Sequence, residues 1–98
     1  MIRHMVLFRW HEDAGAEAIE AAATAMRGLA AIDCVSDLHV GPNLSPDAGG
    51  YGFVLSFSLP DLATLDATFR PHPAHKAVSA AVRPIMAGKI LVDMQLAP

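Results

Sequence analysis

The sequence predicts an α+β domain of ferredoxin-like type, a four-stranded antiparallel sheet in the chain order βα-ββα-β with its helices on one face. Three observations carry the prediction. Tyr51 to Leu59 and Lys89 to Leu96 alternate with a period of two, the signature of strands. Gly15 to Ala31 and Pro73 to about Val82 repeat their apolar residues at helical spacing. The segments between are short and rich in glycine and proline, so antiparallel neighbours and right-handed crossovers select the topology.

The elements follow in order. Ile2 to Trp10 is a strand rich in β-branched and aromatic residues, with Ile2, His4, Val6, Phe8 and Trp10 on one face and Arg3, Met5, Leu7 and Arg9 on the other. Both faces are apolar in the middle, the pattern of a strand covered on two sides. In the first helix Ile19, Ala22, Ala23, Met26, Leu29 and Ala30 form the apolar stripe. Glu17 and Glu20 near its start and Arg27 near its end suit the macrodipole. Val35 to Gly41 reads as a weaker strand, followed by a loop framed by Gly41-Pro42-Asn43 and Gly49-Gly50. In Tyr51 to Leu59, Phe53, Leu55, Phe57 and Leu59 share a face.

Pro60-Asp61 opens a short helix with Asp61 as its N-cap and Leu62, Leu65 and Phe69 on one side. It stops near Arg70, because a residue before proline avoids the α region. Pro73 suits the first turn of the next helix, Pro84 ends it, and Gly88 leads into the last strand.

The 98 residues make one domain, 1–98, with seven Lys/Arg against ten Asp/Glu and a net charge of −3. No basic stripe for nucleic acid and no polybasic segment for anionic lipid can be drawn from that balance. Arg9 interrupts the first apolar run before it reaches the length of a membrane span, so a cytoplasmic protein is expected. The single cysteine, Cys34, excludes an internal disulfide and a CxxC metal site, and reads as a small buried hydrophobe. Met5, Met26, Met86 and Met94 read as core filler.

With 53% hydrophobic and 17% charged residues, the chain is apolar for its size. Helices on one side of the sheet leave strands with two apolar faces needing a second cover. A twofold partner's sheet supplies it most simply, so the expected partner is a second copy of the chain.

Chemistry concentrates in Phe69-Arg70-Pro71-His72-Pro73-Ala74-His75, where two prolines fix the directions of two imidazoles. His75 shares the sheet-facing stripe of Val78 and Val82 at i, i+3 and i+7, and His4 shares the strand face of Val6 and Phe8. If that face looks toward the helices, both imidazoles enter one apolar cavity. Burial there favours the neutral ring, a form able to accept a proton. His75 is then either a general base or a structural histidine bonded to a strand carbonyl. His72 stands at an N-cap and is expected to cap the helix or contact the loop. His4, His72 and His75 could offer three nitrogens to zinc, but no carboxylate second shell is evident, so neither a metal nor a cofactor is expected. Asp93 either orients a histidine or pairs with Arg3 or Arg9. His11 and His39 receive no role, and Trp10 suits either the dimer seam or a pocket wall.

Ile2-Arg3-His4-Met5-Val6-Leu7-Phe8, Gly41-Pro42-Asn43-Leu44-Ser45, His72-Pro73-Ala74-His75 and Leu91-Val92-Asp93 together resemble the stress-responsive A/B barrel domain family, also called dimeric α+β barrels. The resemblance spans nearly the whole chain and implies a ferredoxin-like subunit that pairs sheet to sheet as a homodimer. For the family's plant polyketide cyclases, of the olivetolic acid type, it implies a cleft between sheet and helices. The base there falls on His75, and His4 lines the same cleft. Those cyclases pair the base with a tyrosine six residues earlier, which here is Phe69, a side chain with no proton to donate.

The expected function is therefore a homodimer that binds a small apolar, aromatic or polyketide-like ligand, with Phe69, His72, Phe8, Val6 and Val78 as contacts. The alternative is a cofactor-independent, aldol-type lyase with His75 as base and His4 as its partner. A second alternative is a cofactor-independent monooxygenase on the same dimeric fold, for which Trp10 and Asn43 are the residues to watch.

Overall fold

A computed structural model describes residues 1–97. Strands β1 (Ile2–Trp10), β2 (Ser36–Pro42), β3 (Phe53–Leu59) and β4 (Met86–Gln95) form one antiparallel sheet in the order β2-β3-β1-β4. Helix α1 (Ala16–Arg27) links β1 to β2. A short α2 (Leu62–Thr64) and α3 (Pro73–Val82) link β3 to β4. The first strand in sequence is central in the sheet because β2 returns directly into β3 along one of its edges and the second crossover sets β4 along the other. The ferredoxin-like prediction therefore holds.

Side-chain parity along β1 divides the sheet into two unlike faces. Ile2, His4, Val6 and Phe8 are buried beneath the helices, opposite Leu59, Phe57, Leu55 and Phe53 of β3. Ala22, Met26 and Leu29, together with Leu65, Phe69, Val78 and Val82, close the core from above. Among the described residues, no helix covers the other face. There Met5 lies between Ser56 of β3 and Val92 of β4, and Leu7 between Val54 and Ile90. Ile90, Val92 and Met94 are 41%, 37% and 51% exposed, far above what an aliphatic residue inside a sheet shows when its face is packed. Met94 is thus no core filler within the subunit, whereas Met26 is fully buried.

Several boundaries differ from the sequence reading, each for a physical reason. The α-helical ladder of α1 stops at Arg27, and Gly28–Ala31 tightens into a 3-10 turn. Asp37 adopts φ 51°, a left-handed conformation tolerated by Asp, and the β2 register slips between Ser36 and His39. The slip lets the Asp37 carboxylate reach Arg3 and His39, both at 2.9 Å. Arg3 is therefore taken by Asp37 and by the hydroxyls of Ser56 and Ser58, not by Asp93.

Asp61 caps α2 as expected, accepting from the Thr64 N–H at 2.8 Å. One residue later the helix widens into a π turn, Leu65–Phe69, closed by Arg70 N–H to Leu65 carbonyl at 3.0 Å. The widened turn buries both Leu65 and Phe69. The last strand begins at Met86, not after Gly88. Gly88 pairs with Arg9 inside the strand, and an added Cβ would meet the Arg9 guanidinium at 3.3 Å. Cys34 is half-buried against the core rather than inside it, and desolvation raises its thiol pKa. Among the described residues, no helix is long and apolar enough to cross a membrane.

Candidate functional site

Between α3 and the sheet lies a cavity of about 330 Å³. Its floor is β1, through His4, Val6 and Phe8, and its roof is α3, through His75, Val78, Ser79 and Val82. Phe69 closes one side, and Met86, Lys89 and Leu91 of β4 border another. Both histidines singled out in the sequence thus meet one cavity, together with Val6, Phe8, Phe69 and Val78.

Proline geometry sets the direction of His75. Pro73 opens α3, and His72 just before it has extended backbone, φ −67° and ψ 139°. His72 Nδ1 accepts the Ala74 N–H at 3.0 Å, an N-cap made by imidazole. That bond turns His72 to the helix end, and His72 is not among the residues that line the cavity.

His75 sits one turn above. Its Nδ1 lies 3.0 Å from the Arg70 carbonyl oxygen. A carbonyl can only accept, so Nδ1 carries the proton, and in the neutral ring Nε2 keeps its lone pair. The carbonyl belongs to the turn before α3, not to a strand. Burial pushes the His75 pKa below the ordinary histidine value of 6.5; the Arg70 hydrogen bond opposes this, and the charges of Arg70 and Lys89 add to it.

His4 is held differently. It pairs with Asp93 across the β1–β4 ladder, and its Nδ1 lies 2.6 Å from Asp93 Oδ1. The carboxylate fixes the Nδ1–H tautomer and the ring plane. Among the described residues, Nε2 has no hydrogen-bond partner. Of the partners the sequence offers Asp93, a histidine or an arginine of β1, the structure gives it the histidine, His4. The parity shared by His4 and Asp93 was the available signal.

Phe69 stands between the two imidazoles, its ring centre 6.2 Å from that of His4 and 4.9 Å from that of His75. It also packs on Phe57 at 4.9 Å, which holds His4 at 5.1 Å. The position is an apolar spacer. Tyr51 does not replace the missing hydroxyl: it lies under the Arg9 guanidinium, 5.6 Å from its ring centre, and off the cavity wall. Ser79, one turn beyond His75, is the hydroxyl side chain among the residues that line the cavity.

Trp10 and Asn43 do not join this site. Trp10 stacks on Phe8 at 5.1 Å and tilts against Phe53, on the helix side of the sheet, which also removes it from the bare face. The Asn43 amide is occupied by the Tyr51 carbonyl and the Ser45 N–H. Arg70, Arg83 and Lys89, which the sequence reading passed over, border the cavity. Their surface-typical composition carried no signal until the fold placed them there.

No functionally curated protein matches the chain. Among solved structures, a dimeric ferredoxin-like protein of unknown function from Thermobifida fusca is 32% identical, covering 97% of this chain and 90% of that one with a TM-score of 0.83. A Dabb family protein with a ferredoxin-like fold from Mesorhizobium loti is 25% identical, with 99% and 97% covered and a TM-score of 0.78. A hydroxynitrile lyase from Passiflora edulis has a TM-score of 0.84 over 98% and 93% of the two chains, but at 15% identity the likeness is one of fold alone. The stress responsive A/B barrel domain matches residues 2–96, and the chain belongs to that family.

Proposed function

We propose that this protein is a homodimer, paired through its bare sheet faces, that binds a small apolar or aromatic ligand in the cavity between α3 and the sheet. The observation that carries the reading is a cavity of about 330 Å³ with mostly aliphatic and aromatic walls and two imidazoles on facing sides. Its size falls at the lower end for small-molecule sites, where a few polar groups fix orientation within an apolar enclosure. Similar structures described as dimeric support the pairing.

Titrating the protein with aromatic β-diketones, followed by imidazole NMR signals, tests the binding. The His4 and His75 resonances are expected to move together with one saturation curve, and those of His11 and His39 to stay. Failure of every compound to move either ring would end this reading.

A second reading, an aldol-type lyase, is favoured by the His75 tautomer. Nε2 of the neutral ring would take a proton from carbon beside a carbonyl, giving an enolate and an imidazolium. The enolate carbon would then bond to a second carbonyl carbon, and the resulting alkoxide would recover the proton from Nε2. His75→Ala is expected to lower such a rate by roughly 10²–10⁴-fold, the usual worth of a general base. Ligand affinity should change far less.

The pH dependence follows from the lowered pKa. His75 is neutral at pH 7 and loses base function only as pH falls through a value below 6.5. Any turnover should therefore be flat near neutrality and decline on the acid side. The same shift acts on stability. The unfolded chain takes up the proton near 6.5 while the folded one resists it, so this contribution is present above 6.5 and is lost as pH falls from there toward the folded value. A rate that declines with a midpoint above 6.5 would exclude His75 as the base.

A further inference from the structure

The cavity's border is charged in one sense only. Among the described residues, Arg70, Arg83 and Lys89 line it, and no Asp or Glu does. Three of the seven Lys/Arg side chains thus gather around one opening in a chain of net charge −3. All three residues are exposed. Among the described residues, Arg83 and Lys89 have no carboxylate partner within salt-bridge distance. Arg70 has only the surface pair to Asp66, at 3.3 Å. The nearby carboxylate of Asp93 is off the wall, and its Oδ1 is held by His4.

The three cations come from different elements, which makes the arrangement a property of the opening and not of one helix. Arg70 ends the π turn ahead of α3, Arg83 is the C-cap of α3, and Lys89 lies on β4 opposite Phe8. They bracket the gap between α3 and the β4 edge, with Val78, Val82 and Leu91 apolar behind them. Low-dielectric walls around a one-signed border focus the field on whatever enters.

We propose that the natural ligand of this cavity is an organic acid, with its apolar or aromatic body inside and its carboxylate at the Arg70–Arg83–Lys89 border. This rests on the ligand-binding reading above and narrows its substrate class from neutral apolar compounds to anionic ones. An organic acid fits better than a bare inorganic anion, because the cavity these cations border is otherwise lined mostly by apolar side chains. Lowering of the His75 pKa by the charges of Arg70 and Lys89 places both fields within reach of the site.

The experiment compares phenylacetate, 3-phenylpropionate and 4-phenylbutyrate with their primary amides, by calorimetry and His4/His75 imidazole shifts at low salt. The acids should bind on the order of tenfold tighter than the matching amides. Lys89→Gln and Arg83→Gln should each weaken the acid by up to about fivefold, the range of an exposed charge pair, and change amide binding far less. Raising the salt should shrink the acid preference. Both variants alter exposed side chains, and unchanged thermal melts confirm that the fold is intact. Equal binding of acid and amide overturns the anion proposal and leaves ligand binding standing. Binding of neither, in the wild-type protein, overturns both.

Discussion

Replacing Phe57 by alanine is expected to cost about 3–5 kcal/mol of folding free energy, the range for a fully buried phenylalanine. Phe57 is 0% exposed, paired with His4 across β1–β3, and its ring meets both His4 and Phe69. Removing it deletes apolar surface and leaves a void beneath the candidate site, which close-packed neighbours cannot fill by small movements. A domain of this size is stable by only about 5–15 kcal/mol, so the variant should lose a large part of its margin. Urea unfolding at matched protein concentration measures the effect, because pairing of subunits couples stability to concentration. A loss below about 1 kcal/mol would mean that Phe57 is not the packed core residue described above. The site should respond too: without its Phe57 contact, His4 keeps Asp93 and the more distant Phe69 ring, and its imidazole signal should broaden or move.

The second large effect concerns the uncovered face. Ile90→Asp with Val92→Asp should convert a dimer into monomers, read by light scattering on a sizing column. On an isolated subunit these positions are exposed, and polar replacements there cost only about 0.5 kcal/mol either way. In a paired sheet each carboxylate would be forced out of water against Met5, Leu7 or their symmetry mates, at a cost of several kcal/mol. The two cases therefore separate cleanly. Unchanged molecular mass in the double variant would show that this face is not the interface. A wild-type protein that elutes as a monomer would show the same more directly. Arg3, Asp37, Ser56 and Ser58 form a polar cluster beside the apolar patch, so the bare face is two-part and not uniformly greasy.

Much of the fold was legible in the sequence because its signals are local. Alternation in Phe53, Leu55, Phe57 and Leu59 reports a strand with one buried face whatever its neighbours do. Pro73 and Pro84 bound α3 by removing backbone donors, and Asp61 announces its helix by an N-cap that the structure keeps. The boundaries that moved depend on partners elsewhere. The left-handed Asp37 is stabilised by Arg3, and β4 runs back to Met86 because β1 supplies ladder partners through Gly88. The Leu65–Phe69 π turn has no periodic signature of its own in five residues.

The site shows the same division. By itself the sequence singled out His75 on a proline-fixed helix and His4 on an apolar strand as candidates, and indicated more apolar surface than one layer of helices can hide. Only the tertiary structure decided that His4 meets a carboxylate 89 positions away, that Phe69 separates the two imidazoles, and that Arg70, Arg83 and Lys89 border a single opening. The reason is physical: periodicity reports which way a side chain faces along its own element. What it faces is set by strand register and helix packing, which are collective properties of the whole chain.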